Sequence, residues 1–193
     1  MYKWSKPFPC ATCISVNDEI IHGIPSKKNI LKDGDIVSVD LVAYKNGFHG
    51  DCARTYAVGE VSKEARKLIE ITKQAFYEGI KFAKVGYRIG DVSSTIQEFV
   101  EKNGFSVIKE FQGHGIGRSM HERPDIPNYG KKNTGIRLEK GMTLAVEPMV
   151  NQGSDRIEIL NDGWTVVTKD GLLAAHYENT ILITEKEPEI LTK

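Results

Sequence analysis

The pair Asn46-Gly47 sits between two runs rich in β-branched and aromatic residues, Ile36-Val-Ser-Val-Asp-Leu-Val-Ala-Tyr and Phe48-His-Gly-Asp-Cys-Ala-Arg-Thr-Tyr-Ala-Val. A two-residue hairpin needs positive φ at both turn positions, and Asn-Gly tolerates that better than almost any other pair. The segment from Asp35 to Gly59 is therefore expected to fold as two antiparallel strands. Register follows from the turn. With Lys45 opposite Phe48, Asp51 stands opposite Val42, and Asp40 lies two residues farther along the first strand on the same face. Such a diagonal pair is about 7–8 Å apart at the backbone, so both carboxylates can reach toward one point.

Beyond the hairpin the periodicity changes from two to between three and four. Ser62 is placed to cap a helix whose apolar positions are Leu68, Ile71, Ala75, Gly79, Ile80 and Phe82, ending before Gly86. Asp91 is placed to cap a second helix with a Val92, Ile96, Phe99, Val100 stripe that stops at Gly104. Strand patterns then return at Ser106–Phe111, Met142–Val150, Trp164–Thr168 and Leu173–Thr184, the last two joined by the turn Lys169-Asp-Gly171. Helices grouped between strand-rich blocks indicate an α+β fold, not a doubly wound sheet. Residues 1–193 read as a single domain: 40% of the residues are hydrophobic, enough for a sizeable core, and no linker interrupts the pattern.

Twenty-six basic residues balance twenty-six acidic ones without a basic stripe, so the chain offers no reason to propose nucleic acid as a partner. No apolar run is long enough to cross a bilayer, and Met1-Tyr-Lys-Trp-Ser-Lys lacks the apolar stretch of a signal peptide, so a cytoplasmic location without membrane partners is the expectation. Cys10, Cys13 and Cys52 are too few for a disulfide framework. Cys10 and Cys13 have no second pair to complete a zinc site, and reduced thiols fit the cytoplasm.

Five residues stand out as ligands that a metal could share: Asp40, Asp51, His114, Glu147 and Glu178. Asp40 ends an apolar run, His114 lies between Gly113 and Gly115, and Glu147 and Glu178 interrupt hydrophobic strands. Two carboxylates about 5 Å apart repel by roughly 3 kcal/mol at an effective dielectric near 20, so an acidic cluster asks for cations. Four carboxylates and one imidazole balance two divalent ions. That oxygen-dominated set suits Mn, Fe or Co and permits Zn. His49 and His176, each near a candidate ligand, are read as structural, with a hydrogen bond to a ligand as their largest role.

The motifs together resemble the type I methionine aminopeptidases of the pita-bread metallopeptidase family. They are Ile14-Ser-Val-Asn-Asp-Glu-Ile-Ile-His-Gly-Ile-Pro25, Gly47-Phe-His-Gly-Asp51, Gly113-His-Gly-Ile-Gly117 with His121-Glu-Arg-Pro124, Gly141-Met-Thr-Leu-Ala-Val-Glu-Pro-Met149, and Tyr177-Glu178-Asn-Thr. The resemblance implies the creatinase/aminopeptidase fold, an antiparallel curved sheet covered by helices. Members of the family carry further residues ahead of the first motif, including a helix pair over half the sheet. The chain is thus expected to be N-terminally shortened, with an uncovered apolar sheet face that favours self-association.

The same resemblance implies roles. Asp51 and Glu178 would bridge two divalent ions, Asp40 would bind one, and His114 and Glu147 the other. Glu147 would also relay a proton, and His22 and His121 would steady the scissile amide. Phe8, Cys13, Met120 and Trp164 match the wall of a pocket for an unbranched thioether, although Trp164 alone reads more readily as core. The turn beginning at Asn17 matches a loop that holds a monovalent cation. The implied activity is removal of N-terminal methionine from peptides and nascent chains at the ribosome when the second residue is small. Two alternatives remain: an X-Pro aminopeptidase or dipeptidase of the same fold, and a non-catalytic binding module.

Overall fold

Asn46 and Gly47 adopt φ of 52° and 86°, the paired positive angles that a two-residue hairpin requires. They join β3 (Ile36–Lys45) to β4 (Phe48–Ala57), with Lys45 opposite Phe48 and Val42 opposite Asp51, as the sequence led us to expect. This hairpin is the longest ladder in a computed structural model of the chain that describes residues 7–193. The Met1–Lys6 stretch, read above for the absence of a signal peptide, lies outside the described residues.

Around the hairpin run β1 (Cys13–Val16), β2 (Glu19–Ile21), α1 (Lys63–Ile80), α2 (Ile89–Lys102), β5 (Ser106–Val107), β6 (Gln112–Gly115) and β7 (Glu122–Pro127). There follow β8 (Thr143–Val146), β9 (Met149–Asn151), β10 (Ile157–Ile159), β11 (Val166–Thr168), β12 (Ala174–His176), β13 (Glu178–Leu182) and β14 (Glu189–Ile190). The main sheet has the order β1-β3-β4-β13-β8-β6-β7, with β14 alongside β13. Two three-stranded sheets, β10-β11-β2 and β12-β9-β5, complete the α+β fold. Every pairing is antiparallel.

Several boundaries differ from the sequence expectation, each for a local reason. The stretch Met142–Val150 breaks into β8 and β9 at Glu147-Pro148, because proline has no N–H to continue a ladder. Leu173–Thr184 divides at Tyr177 into strands of two sheets. The turn at Lys169-Asp-Gly171 forms, but the strands it joins do not pair: β11 lies between β10 and β2, whereas β12 pairs with β9. Ser62 does cap α1, its hydroxyl accepting from the Ala65 N–H at 3.1 Å. Asp91 is not the cap of α2. It is the third helical residue, and its carboxylate accepts from the backbone N–H of Arg88, the cap, at 2.8 Å.

The two helices bury one face of the main sheet. Leu68, Ala75 and Phe76 of α1 and Ile96 and Val100 of α2 are fully buried against Val146, Tyr177, Ile181 and Ile183. Each large side chain removed from water in this layer contributes about 1.5–3 kcal/mol. At the outer end of the sheet, Leu41 and Phe48 stay 38% and 51% exposed. No helix among the described residues is long and apolar enough to cross a membrane.

Candidate metal centre

Alternation along the strands decides what faces away from the helices. Asp40 pairs with Ala53, Ala53 pairs with Glu178, and Asp51 lies two residues from Ala53, so these three carboxylates share one face. Thr180, two residues beyond Glu178, pairs with Ala145, which pairs with His114; Glu147 follows two residues later. Adjacent strands β3, β4, β13, β8 and β6 thus deliver all five candidate ligands to one side. The odd-numbered residues Tyr177 and Ile181 go to the helices instead.

The side chains meet. Ligand atoms of Asp51, His114 and Glu178 lie within 4.8 Å of one another. Glu147 joins them, with Oε1 3.6 Å from His114 Nε2, which is itself 3.9 Å from Asp51 Oδ2. Asp40 closes the other end, grouped within the same span with Glu178 and with His176. The structure brings the five candidate residues together. His176, read as structural, lies inside the cluster as well, Nε2 3.9 Å from both Glu147 Oε2 and Glu178 Oε2. Its position beside Glu178 depends on how strands of two sheets meet.

Local sequence explains how these groups are held. The glycines around His114 reflect close strands: a Cβ at Gly113 would meet the Ala145 carbonyl oxygen at 2.3 Å, and one at Gly115 the Arg123 carbonyl oxygen at 2.3 Å. His114 Nδ1 is 2.8 Å from the Gly115 carbonyl, which can only accept, so Nδ1 carries the proton and Nε2 presents its lone pair to Asp51 and Glu147. The Asp51 backbone N–H donates to Thr180 Oγ1 at 2.8 Å, and Thr192 Oγ1 donates to the Asp51 carbonyl at 2.9 Å. Asn128 Nδ2 donates to the Glu147 carbonyl at 2.9 Å where β8 ends. Arg54 donates to the Glu178 carbonyl and, at 2.7 Å, to Asn179 Oδ1, with its guanidinium over the Tyr177 ring.

Electrostatics point the same way. Burial, reinforced by Asp40, lifts the Asp51 carboxyl to about 8, and burial lifts Asp40 to about 6. Glu147 and Glu178 are pushed well above the usual carboxylate range, first by burial and then by neighbouring carboxylates. Burial lowers His114 and His22 to about 4 and His176 to about 3, so the rings are neutral and can ligate. Asp51 Oδ1 and Glu178 Oε1 are buried with no hydrogen-bond partner among the described residues. Orphaned, mutually repelling carboxylate oxygens beside a correctly tautomeric imidazole fit divalent cations.

The remaining sequence candidates fall at the edge of this cluster. The His121 ring is 4.3 Å from that of His114. His22 has φ of 58°, a strained angle for a non-glycine residue, and its ring packs edge-on against Trp164 and Phe111. Phe8 packs edge-on against Trp164 at 5.3 Å. Cys13 pairs with Asp40, and its thiol, raised by burial and then by Asp40 and Asp51, hydrogen-bonds that carboxylate. Met120 is 39% exposed. Phe111 was not singled out from the sequence. The Asn17 side chain is committed to Asp35 and the Ile36 N–H, and its carbonyl accepts from Ala174. His49 donates to the Gly117 carbonyl from its ring and backbone.

The sequence pattern of metallopeptidase family M24 matches residues 2–185. The chain belongs to metallopeptidase family M24. This M24 chain is 57% identical over 185 residues to a methionine aminopeptidase of Clostridium perfringens, covering 96% of the chain and 74% of that protein. It superposes on the crystal structure of a methionine aminopeptidase from Thermotoga maritima with a TM-score of 0.93 at 54% identity, covering 94% of this chain and 73% of that one. A prolidase from Pyrococcus furiosus is more distant, with a TM-score of 0.76 and 27% identity over 98% of this chain and 50% of its own. The antiparallel sheet with its helix pair is thus the pita-bread fold of these M24 peptidases.

Proposed function

We propose that this chain is a metal-dependent aminopeptidase that removes N-terminal methionine when the second residue is small, acting in the cytoplasm on peptides and on nascent chains at the ribosome. The observation that carries this reading is the convergence of Asp40, Asp51, His114, Glu147 and Glu178 on one sheet face, with the His121 ring against His114. The identity to the Clostridium perfringens methionine aminopeptidase supports the choice of substrate.

Asp51 and Glu178, central in the cluster, would bridge two divalent ions; Asp40 would complete one site, and His114 with Glu147 the other. When bound, ions of the Mn, Fe, Co or Zn class would supply Lewis acidity toward the scissile carbonyl and lower the pKa of water toward neutral. Glu147 takes the proton from the attacking water and passes it to the leaving amine. The neutral rings of His22 and His121 donate hydrogen bonds to the scissile amide and to the oxygen that becomes negative. Phe8, Cys13 and Trp164 form the wall for the methionine side chain, with Met120 at its rim. A second copy of the chain covering Leu41 and Phe48 accounts for their exposure in an associated form.

Likeness to a prolidase supports one other reading, an X-Pro peptidase with the same ligand set. Competing cleavage of Met-Ala-Ser and Ala-Pro-Ser by metal-loaded protein decides between them. Release of methionine from the first is expected, and preference for the second overturns the proposal.

A further inference from the structure

His176 is used by nothing in the mechanism above, yet it is one of the most constrained side chains in the molecule. It is 2% exposed, and neither ring nitrogen has a hydrogen-bond partner among the described residues. Its backbone is pinned on both sides by Thr55, which accepts from the His176 N–H at 2.9 Å and donates to the His176 carbonyl at 2.9 Å. The Thr55 hydroxyl is in turn 2.7 Å from that of Ser38. The ring is therefore aimed into the cluster by a rigid ladder. A buried imidazole with both nitrogens unmet is destabilising, a penalty that a ligand on Nε2 would relieve.

What faces Nε2 is metal-binding in character. Glu147 Oε2 and Glu178 Oε2 are each 3.9 Å away, and a His176 nitrogen groups with oxygens of Asp40 and Glu178 within 4.8 Å. Two donors at zinc-like bond lengths on a tetrahedral ion stand about 3.4 Å apart, so closing on an ion needs a shift of only about half an ångström. We propose that His176 is a nitrogen ligand of the divalent ion held by Asp40 and Glu178, so that each of the two ions carries one imidazole, His114 on one side and His176 on the other. This extends the ligand set and rests on the dinuclear reading above. An imidazole in a position otherwise made of carboxylates shifts that ion's preference toward Co or Zn and away from harder cations such as Mg.

The test is zinc-edge X-ray absorption on the full chain loaded with two equivalents of zinc, with cobalt titration by visible absorption beside it. About one imidazole per zinc is expected in the unaltered protein; about one per two zincs, the count for His114 alone, overturns the proposal. His176→Gln should halve the imidazole count and weaken the second ion by at least about 100-fold, beyond the 10–100-fold that losing an outer hydrogen-bond partner costs. Weakening without a change in imidazole count makes His176 a hydrogen-bond partner of Glu147 and overturns it. The unaltered protein decides the matter even where the variant does not fold, and uptake of fewer than two ions also counts against it. Cleavage of Met-Ala-Ser is scored separately. One imidazole per zinc without cleavage breaks the aminopeptidase reading alone, and cleavage with one imidazole per two zincs breaks this proposal alone.

Discussion

The hairpin β3–β4 and the returning segment from β8 to β13 each contribute two carboxylates to the cluster, but they do so by different physics. Asp40 and Asp51 sit on strands joined by a two-residue turn, so local chain geometry places them. Glu147 stands where the chain leaves the main sheet for the two small sheets and Glu178 where it returns, and each is next to a break in strand pattern, at Pro148 and at Tyr177. The hairpin brings like charges together through local chain geometry and at a cost. The returning segment encloses them, and only in the complete sheet are they buried enough for Asp51 to hold its proton to about 8.

That division is most directly broken at Glu178, which pairs its strand to the hairpin through Ala53 and groups with both ends of the cluster. Glu178→Ala should abolish uptake of the second ion, measured by titration calorimetry, and lower kcat/KM on Met-Ala-Ser by at least about 10³-fold, equal to about 4 kcal/mol. Retention of two ions would show that the hairpin half is sufficient. A purely steric version uses Gly113→Ala. The new Cβ meets the Ala145 carbonyl at 2.3 Å, backbone that cannot swing aside, so β6 and β8 must separate. The loss should be about 1–3 kcal/mol in urea denaturation, accompanied by weaker metal binding because His114 moves with β6.

A smaller effect separates burial from metal. In metal-free protein the folded Asp51 pKa is near 8, above its value in the unfolded chain. Between pH 6.5 and 8 the folded state therefore binds more protons than the unfolded one, and stability falls as pH rises. Asp51 alone should contribute a drop of about 1–2 kcal/mol over that window, and Glu147 and Glu178, raised by the same burial, add to it in the same direction. Below pH 6.5 the buried neutral His114, His22 and His176 oppose this trend, since they lose stability as acid charges the unfolded rings. Thermal melts across pH in the presence of a chelator should show the decline, and added zinc or cobalt should remove it. A flat profile without metal would mean that the carboxylates are not crowded in solution.

The contrast between the two regions also explains what could be read from the amino acids. Asn46-Gly47 carries its own conformational instruction, so the hairpin register, and with it the Asp40–Asp51 diagonal, was legible in full. Ser62 was legible for the same reason. Asp91 was misplaced because an aspartate can serve a helix start either as the cap or, as it does here from the third helical residue, by accepting from the Arg88 N–H behind it. The short strands β1, β2, β6, β7 and β10 run only three to six residues, too few for a clear alternation, and β2 finds its partner β11 far along the chain. His176 was read as structural from its sequence neighbours, and its position beside Glu178 in the cluster depends on how the strands meet across sheets.

The hairpin side of the comparison has its own test, with the smallest effect. Gly47 has φ of 86° and nothing within 4 Å of where a Cβ would stand, so Gly47→Ala adds backbone strain without a clash. That strain is about 1 kcal/mol, or roughly 2–4 °C in Tm for a chain of this size. Metal affinity should change less than about threefold, because the register is also held by ten facing residue pairs from Ile36–Ala57 to Lys45–Phe48. It is held again where β13 docks on β4 through Ala53. If the substitution instead weakens metal binding by more than tenfold while the fold persists, the turn governs the ligand geometry in the finished molecule and the ladder does not. The local half would then control the site, and the returning strands would be following a register they do not help to set.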